Sequence, residues 1–390
     1  MQMFADHSFF AWLIVMTIPA FILGVFEKPI KYYGMFASLV FLWLALGHNT
    51  VALTYLIVFC LLEYTIIQIY LQLRLGGNRS KVLYWLFLLL SIAPLATYKV
   101  LALTGNPWHI FGFLGISYMT FKVAQMIIEI YDGIIKKVSP FEYAYLLLFF
   151  PTITSGPIDR SRRFSKDLNR KIPRSEYLEL AGTGLYKILL GMVYKTVIAS
   201  VLYFLMKQYG MEKDMTGVLI YYYTYGFYLF FDFAGYSLMA VGTGYLFGIK
   251  VPDNFNRPFI SRDINDFWNR WHITLSHWLR DYVFSRVTMS LMRTGLRKRR
   301  LTIASIAFMT NMLLMGFWHG LTSYYILYGL YHGVLLTLFE IIRTRSGLYR
   351  KYSKEKWFII IEWALTLHLV LFGFFIFSGR LNALMHWKAW

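Results

Sequence analysis

Apolar runs long enough to cross a bilayer follow one another along nearly the whole chain, and they dictate what it can become. A span needs roughly twenty apolar residues, because hydrocarbon offers the backbone no partner and a helix rises about 1.5 Å per residue. Such runs extend from Phe9 to Phe26, Tyr32 to about Gly47, Val51 to about Leu71, Val82 to about Leu103, Phe111 to Tyr131, Leu178 to Tyr209, Gly217 to Ile249, Thr302 to Trp318, Tyr324 to Ile342 and Phe358 to Phe377. With 58% hydrophobic and only 15% charged residues, and a mean hydropathy of +0.50, the chain is no soluble domain. It reads as an all-α polytopic membrane protein of ten to eleven spans. The fourth run carries Pro94, a candidate kink.

The formal net charge is +19, and the basic residues sit in clumps between the apolar runs. The positive-inside rule accounts for that clumping, and attraction for an acidic cytoplasmic partner or anionic lipid head groups is compatible with it. Basic turns such as Glu27 to Lys31 and Arg74 to Lys81 are therefore expected inside. Uncharged turns such as Gly47 to Thr50 and Thr104 to Pro107 are expected outside. This places both termini outside. Before the first run there is no basic segment, and after it no small-residue cleavage site, so it reads as a retained span. Cys60 is the only cysteine, which rules out an intrachain disulfide or a cysteine metal cluster, and no metal site is expected.

Two stretches break the alternation. Phe141 to Pro157 is flanked by basic residues on both sides (Lys136 and Lys137, then Arg160, Arg162 and Arg163), and its apolar core is too short to span. It runs into Pro151-Thr152-Ile153-Thr154-Ser155-Gly156-Pro157, which cannot be regular helix. A re-entrant segment facing the protein interior satisfies both facts. Lys250 to about Arg286 is too polar to span and too apolar for a simple loop, and is expected at the inner interface or dipping into the protein.

Polar residues inside apolar surroundings are the candidates for chemistry. His319 lies in Met315-Gly316-Phe317-Trp318-His319-Gly320 at the outer end of its span, with glycines on either side that permit close approach of a ligand or backbone. A histidine there can take the proton of an attacking hydroxyl. No serine nucleophile elbow competes for the role, so direct transfer between two bound substrates is the simpler chemistry. His272 is the second candidate, among Trp268, Asn269, Arg270, Trp271 and Ser276. On a continuous helix it shares a face with Trp268 and with Ser276. Asp232 is a lone acid in its run, expected to pair with Arg257, Arg270 or a tyrosine hydroxyl. Lys122, Gln125 and Glu129 read similarly, and Asp159 and Arg160 either steer a substrate or close a loop. On residues alone, a membrane transferase and a transporter gated by histidine both remain open.

Five stretches in order resemble the membrane-bound O-acyltransferase family. They are Phe149-Phe150-Pro151 with Gly156-Pro157-Ile158, Phe231-Asp232-Phe233-Ala234-Gly235-Tyr236, Phe255-Asn256-Arg257-Pro258-Phe259, Asp266 to Ser276, and Gly316-Phe317-Trp318-His319-Gly320. Within that family, Thr154-Ser155-Gly156-Pro157-Ile158-Asp159-Arg160 is similar to the branch that carries D-alanine to teichoic acid. The alginate-type branch usually follows its Arg-Asp pair with a Pro-Leu-Gly-Gly turn. Here Arg280-Asp281-Tyr282-Val283-Phe284 continues into Ser285 to Met292 without one.

The resemblance implies one membrane domain around a central tunnel, with N-terminal spans over 1–110, a catalytic core over 111–342 and a C-terminal loop and last span over 343–390. It implies His319 and His272 as the catalytic pair, with Trp268, Asn269, Ser276, Asp232, Trp318, Ser155 and Asp159 along the substrate path. No cofactor is held permanently. The donor would be D-alanine on the phosphopantetheine thioester of a small acidic, DltC-like carrier protein, docking from the cytoplasm on Val287, Met289, Leu291 and Met292 beside Arg293 and Arg297. A DltD-like membrane protein would be a further partner. Teichoic acid, or a protein relay, would accept the group at the outer side of a bacterial plasma membrane. O-acetylation of an exported polysaccharide is the alternative within the same fold.

Overall fold

In hydrocarbon a backbone must satisfy its own hydrogen bonds, and the apolar runs accordingly close into helices. A computed structural model describes residues 1–103 and 111–385; the uncharged turn at 104–107 lies outside the described residues. The first helices are α1 (His7–Val25), α2 (Lys31–Leu46), α3 (Thr50–Leu75), α4 (Lys81–Leu103), α5 (Ile116–Tyr131), α6 (Pro140–Leu148), α7 (Ser161–Asn169) and α8 (Arg174–Met192). A π turn, Val193–Ile198, joins α8 to α9 (Ala199–Tyr209), and α10 (Met215–Leu246) follows. The short α11 (Ile264–Arg270), α12 (Ile273–Leu279) and α13 (Ser285–Leu291) precede α14 (Arg300–His319), α15 (Ser323–Arg345), α16 (Gly347–Tyr352), α17 (Lys356–Phe377) and α18 (Arg380–Leu384). Among the described residues, seven helices are long and apolar enough to cross a membrane: α1, α3, α4, the continuous Arg174–Tyr209, α14, α15 and α17. The apolar α2 is shorter, and α4 runs through Pro94 without interruption.

The chain divides into two compact units. The first holds Met1–Met192 and Gly235–Asp253. Here α8 meets the second half of α10 at Gly184 and Gly242. A Cβ on Gly184 would lie 2.7 Å from the carbonyl oxygen of Gly242, so only glycine allows the two backbones this close.

The segment expected to re-enter is present as α6, a single turn at Phe150–Thr152 and irregular chain to Arg160. Nine helical residues rise roughly 14 Å, against a hydrocarbon core of roughly 30 Å. Its irregular part is buried in protein at Phe149, Phe150, Ile153, Ile158 and Asp159, as non-helical backbone at membrane depth must be. Buried Lys122 of α5 donates to the Leu146 carbonyl at the open end of α6 (2.8 Å) and to Thr152 Oγ1 (3.4 Å). The Tyr236 hydroxyl of α10 bonds Thr154 Oγ1, receives the Ser155 N–H and donates to the Pro151 carbonyl. The two side chains thus hold the strip between Pro151 and Ser155.

The second unit holds Val193–Ala234 and the chain from Asn254 onward. Its frame is the hairpin of α14 and α15, with α17 packed on α15. Gly316 and Gly329 set the crossing. A Cβ on either would stand 2.5 Å from a backbone oxygen of the opposite helix, Tyr325 and Met312 respectively. The loop before α11 is tied to α17 by the Arg262–Glu362 ion pair and by Trp363 Nε1 donating to the Phe259 carbonyl (2.9 Å).

Candidate active site

His319 closes α14, and the glycine crossing decides what surrounds it. Gly316 makes room for the backbone of α15, and Gly320 makes room for the Tyr325 ring, whose Cδ2 lies 2.5 Å from where a Cβ would stand. Both glycines therefore serve packing. The half-buried imidazole sits in an aromatic collar, with ring centroids of Trp318 at 4.7 Å, Phe377 at 4.9 Å, Tyr325 at 5.9 Å and Tyr328 at 6.2 Å.

His272 lies on the other side of Trp318, 6.3 Å from that indole and 4.8 Å from Phe233. The condition for a face shared by Trp268, His272 and Ser276, one continuous helix, is not met. The chain breaks at His272, which adopts φ 43° and ψ 51° in the left-handed region between α11 and α12. A residue with a Cβ is strained there, and something must hold it. Asn254 supplies the hold. Its carbonyl accepts the Ile273 N–H (2.8 Å), and its side-chain oxygen accepts Thr274 Oγ1 (2.5 Å) and Thr274 N–H (3.3 Å), capping α12 from outside its own sequence. Ser276 turns back to donate to the Trp271 carbonyl (3.0 Å). His272 is 3% exposed. Burial, reinforced by the neighbouring His319, pushes its imidazole down to about 3, so it stays neutral at any physiological pH.

A cavity of about 220 Å³ lies in the same unit, its walls including Trp268, Asn269, Ser276, Arg280, Asn311 and Met315. Met315 is one helical turn from His319 on the same face of α14. The Trp268 indole N–H and the Asn311 side-chain oxygen are buried without a hydrogen-bond partner among the described residues. An unpaired donor and an unpaired acceptor in one wall are costly unless a polar ligand meets them. His332 of α15 is also buried, and neither ring nitrogen has a hydrogen-bond partner among the described residues. Trp268 lies edge-on to it at 5.1 Å and Tyr328 at 4.6 Å, so Tyr328 touches both His319 and His332.

The remaining candidates fall elsewhere. Asp232 pairs with Lys195 on the π turn, which corrects the expectation of Arg257, Arg270 or a tyrosine. Arg270 is taken by Asp266 (2.7 Å). The intramembrane Lys195 was itself a signal that an acid lay opposite. Ser155 and Asp159 belong to the first unit. Asp159 is held by Arg163 and by the Arg160 N–H (2.7 Å), with burial raising its carboxyl against the pull of Arg163. Asn254 and Asn311 were not singled out in the sequence, and nothing local marks them. On α13, Met289 and Met292 are exposed and Val287 and Leu291 half-buried. Arg293 and Arg297 beyond it are exposed and have no ion-pair partner among the described residues.

A buried neutral histidine, a second histidine in an aromatic collar and a mostly apolar cavity that reaches Met315, one turn from His319, suit transfer of a group to a hydroxyl. The model of the MBOAT, membrane-bound O-acyltransferase, family matches residues 39–384. The chain belongs to the membrane-bound O-acyltransferase family. It is a multi-pass membrane acyltransferase. Among its family relatives, the teichoic acid D-alanyltransferase of Bacillus subtilis (strain 168) is 40% identical over 97% of this chain and 98% of its own length. That of Streptococcus thermophilus is 38% identical over 100% of this chain and 97% of its own. The probable alginate O-acetylase AlgI of Pseudomonas syringae pv. tomato is 33% identical over 70% of this chain but only 50% of its own length. The transporter reading gives way to an enzyme.

Proposed function

We propose that this acyltransferase moves D-alanine from a carrier-protein thioester to teichoic acid, or to a protein relay leading to it. The observation that carries the choice of substrate is coverage: the teichoic acid D-alanyltransferases align end to end, whereas the alginate O-acetylase shares half its length. The same reading locates the enzyme in a bacterial plasma membrane with both termini outside.

The second unit supports a route for the donor. Helix α14 starts at the basic cluster Arg297 to Arg300 and ends at His319, about 28 Å away along its axis. The cavity follows α14 from Phe308 to Met315 and is walled at its lower end by Phe284, next to α13. An acidic carrier, DltC-like in character, would dock on Met289 and Met292 and be steered by Arg293 and Arg297. Its phosphopantetheine arm would meet Trp268 Nε1 and Asn311 Oδ1, which its amides can satisfy. A DltD-like membrane protein is a candidate relay. At the outer end His319 takes the acceptor hydroxyl's proton as that oxygen attacks the thioester carbonyl. The C–O bond forms, the C–S bond breaks and the proton passes to the departing thiolate. Neutral His272 packs on Trp318 and holds the collar in place. Exclusion of water protects the thioester.

The test is transfer of radiolabelled D-alanine from loaded carrier protein to acceptor membranes. Wild type should incorporate label, and His319→Ala should lose about 10²- to 10⁴-fold in rate while still binding carrier. Equal transfer by both proteins would sink the assignment of His319. Transfer of acetyl but not D-alanyl groups by wild type would replace the substrate reading with polysaccharide O-acetylation.

A further inference from the structure

The first unit contains a second built cavity that the acyl-transfer reading does not use. It encloses about 250 Å³ where α1, α8 and α10 end together, between the turn Glu27 to Lys31 and the segment Asp167 to Ile172. Its floor is apolar, formed by Ile30, Ile172, Tyr177 and Phe247, and its rim carries Lys28, Lys31, Arg170 and Lys171 against only Glu27 and Asp167.

Both acids are already committed. Glu27 accepts the Arg174 N–H (3.0 Å) and pairs with Lys171 (3.3 Å). Asp167 takes Arg163 (3.1 Å) and the Lys250 N–H (2.9 Å) on one oxygen. Lys31 donates to Asn169 (2.9 Å). Two cationic donors are left over. Arg170 bonds Glu176 through Nη1 (2.5 Å) and forms a looser ion pair with Asp167, 3.6 Å from its Nε, yet Nε and Nη2 have no hydrogen-bond partner among the described residues. Lys28 has no ion pair among the described residues. Buried guanidinium N–H groups without an acceptor carry a large desolvation cost, and an anion with several oxygens relieves it.

We propose that this cavity binds a phosphate group, and that the group belongs to the head group of an anionic phospholipid. The apolar floor and the position at the ends of the candidate spans α1 and α8 favour a lipid over an ion from solution, because a head group brings its glycerol and first methylenes into contact with Ile30, Ile172 and Phe247. Arg170 and Lys28, both in the cavity wall, supply the cationic donors for the phosphate oxygens. The site is independent of His319 and of the carrier-docking helix.

The full chain would be reconstituted in nanodiscs of equal phosphatidylglycerol and phosphatidylcholine, and the lipid retained on release counted by native mass spectrometry. Wild type should retain phosphatidylglycerol selectively. Lys28→Gln, which breaks no ion pair, and Arg170→Gln should each weaken that retention about fivefold. Arg79→Gln, in a different basic turn, should leave it unchanged. Equal retention of the two lipids by wild type, or an equal loss in Arg79→Gln, would overturn the site. A second arm adds inorganic phosphate at 10 mM, an order-of-magnitude excess chosen for competition. Displacement of the lipid by free phosphate, with the same dependence on Lys28, would overturn the lipid as source and leave a site for soluble phosphate.

Discussion

His272 is a buried histidine in a strained backbone conformation, and both properties have a measurable consequence. Its folded value of about 3 lies below the ordinary value of 6.5, so between these the unfolded chain binds a proton that the folded chain refuses. The stability contributed by the neutral ring is complete above about pH 6.5 and falls as pH drops, by about 2 kcal/mol between pH 7 and 5. Thermal unfolding in detergent should therefore lose more on acidification for wild type than for His272→Gln, which has no ring to protonate. Equal losses would mean the imidazole reaches water. The residue type was conspicuous in the sequence, but its geometry was not. Trp268 to Ser276 contains no glycine or proline, and local propensity reads straight through it. The break is imposed from Asn254, eighteen residues before His272, whose side chain caps α12 and lets His272 turn left-handed.

At the scale of helices, most of the architecture was legible because hydrocarbon leaves so few choices. Apolar runs of the required length appear as α1, α3, α4, α14, α15 and α17 within a few residues of where the sequence places them. How they pack was less legible. The glycines around His319 left a ligand or a backbone open as the close neighbour, and at Gly316 and Gly329 it is the backbone of the opposite helix. Association of helices in lipid rests on such contacts, since apolar side chains gain little by leaving hydrocarbon. Gly329→Ala adds one methyl group 2.5 Å from the Met312 carbonyl oxygen, and the helices must part to accept it. We expect a destabilisation of about 1–3 kcal/mol, read as a lower unfolding temperature, together with reduced transfer because His319 moves with α14. Gly182→Ala is the control: nothing lies within 4 Å of its Cβ position, and stability should hold or rise. If both substitutions behaved alike, helix propensity and not the crossing would be responsible.

For the molecule as a whole, the decisive issue is sidedness. In the proposed orientation, which rests on a net charge of +19 clumped between spans, the basic start of α14 faces the cytoplasm and His319 lies toward the opposite surface. The donor is made inside and the acceptor is outside in the proposed reaction, so one helix of about 30 Å must bring both to a single histidine. The chain offers a clean way to check this, because Cys60 is its only cysteine. In a Cys60→Ser background, Arg297→Cys and Glu212→Cys each introduce one thiol at an exposed position, at the foot of α14 and in the turn between α9 and α10 expected outside. A membrane-impermeant thiol reagent applied to intact cells should label the protein carrying Glu212→Cys and not the one carrying Arg297→Cys. Inverted vesicles should reverse the pattern. If position 297 were labelled from outside, the carrier could not reach α13 from the cytoplasm, and the donor route along α14 would have to be abandoned even with His319 retained as the base.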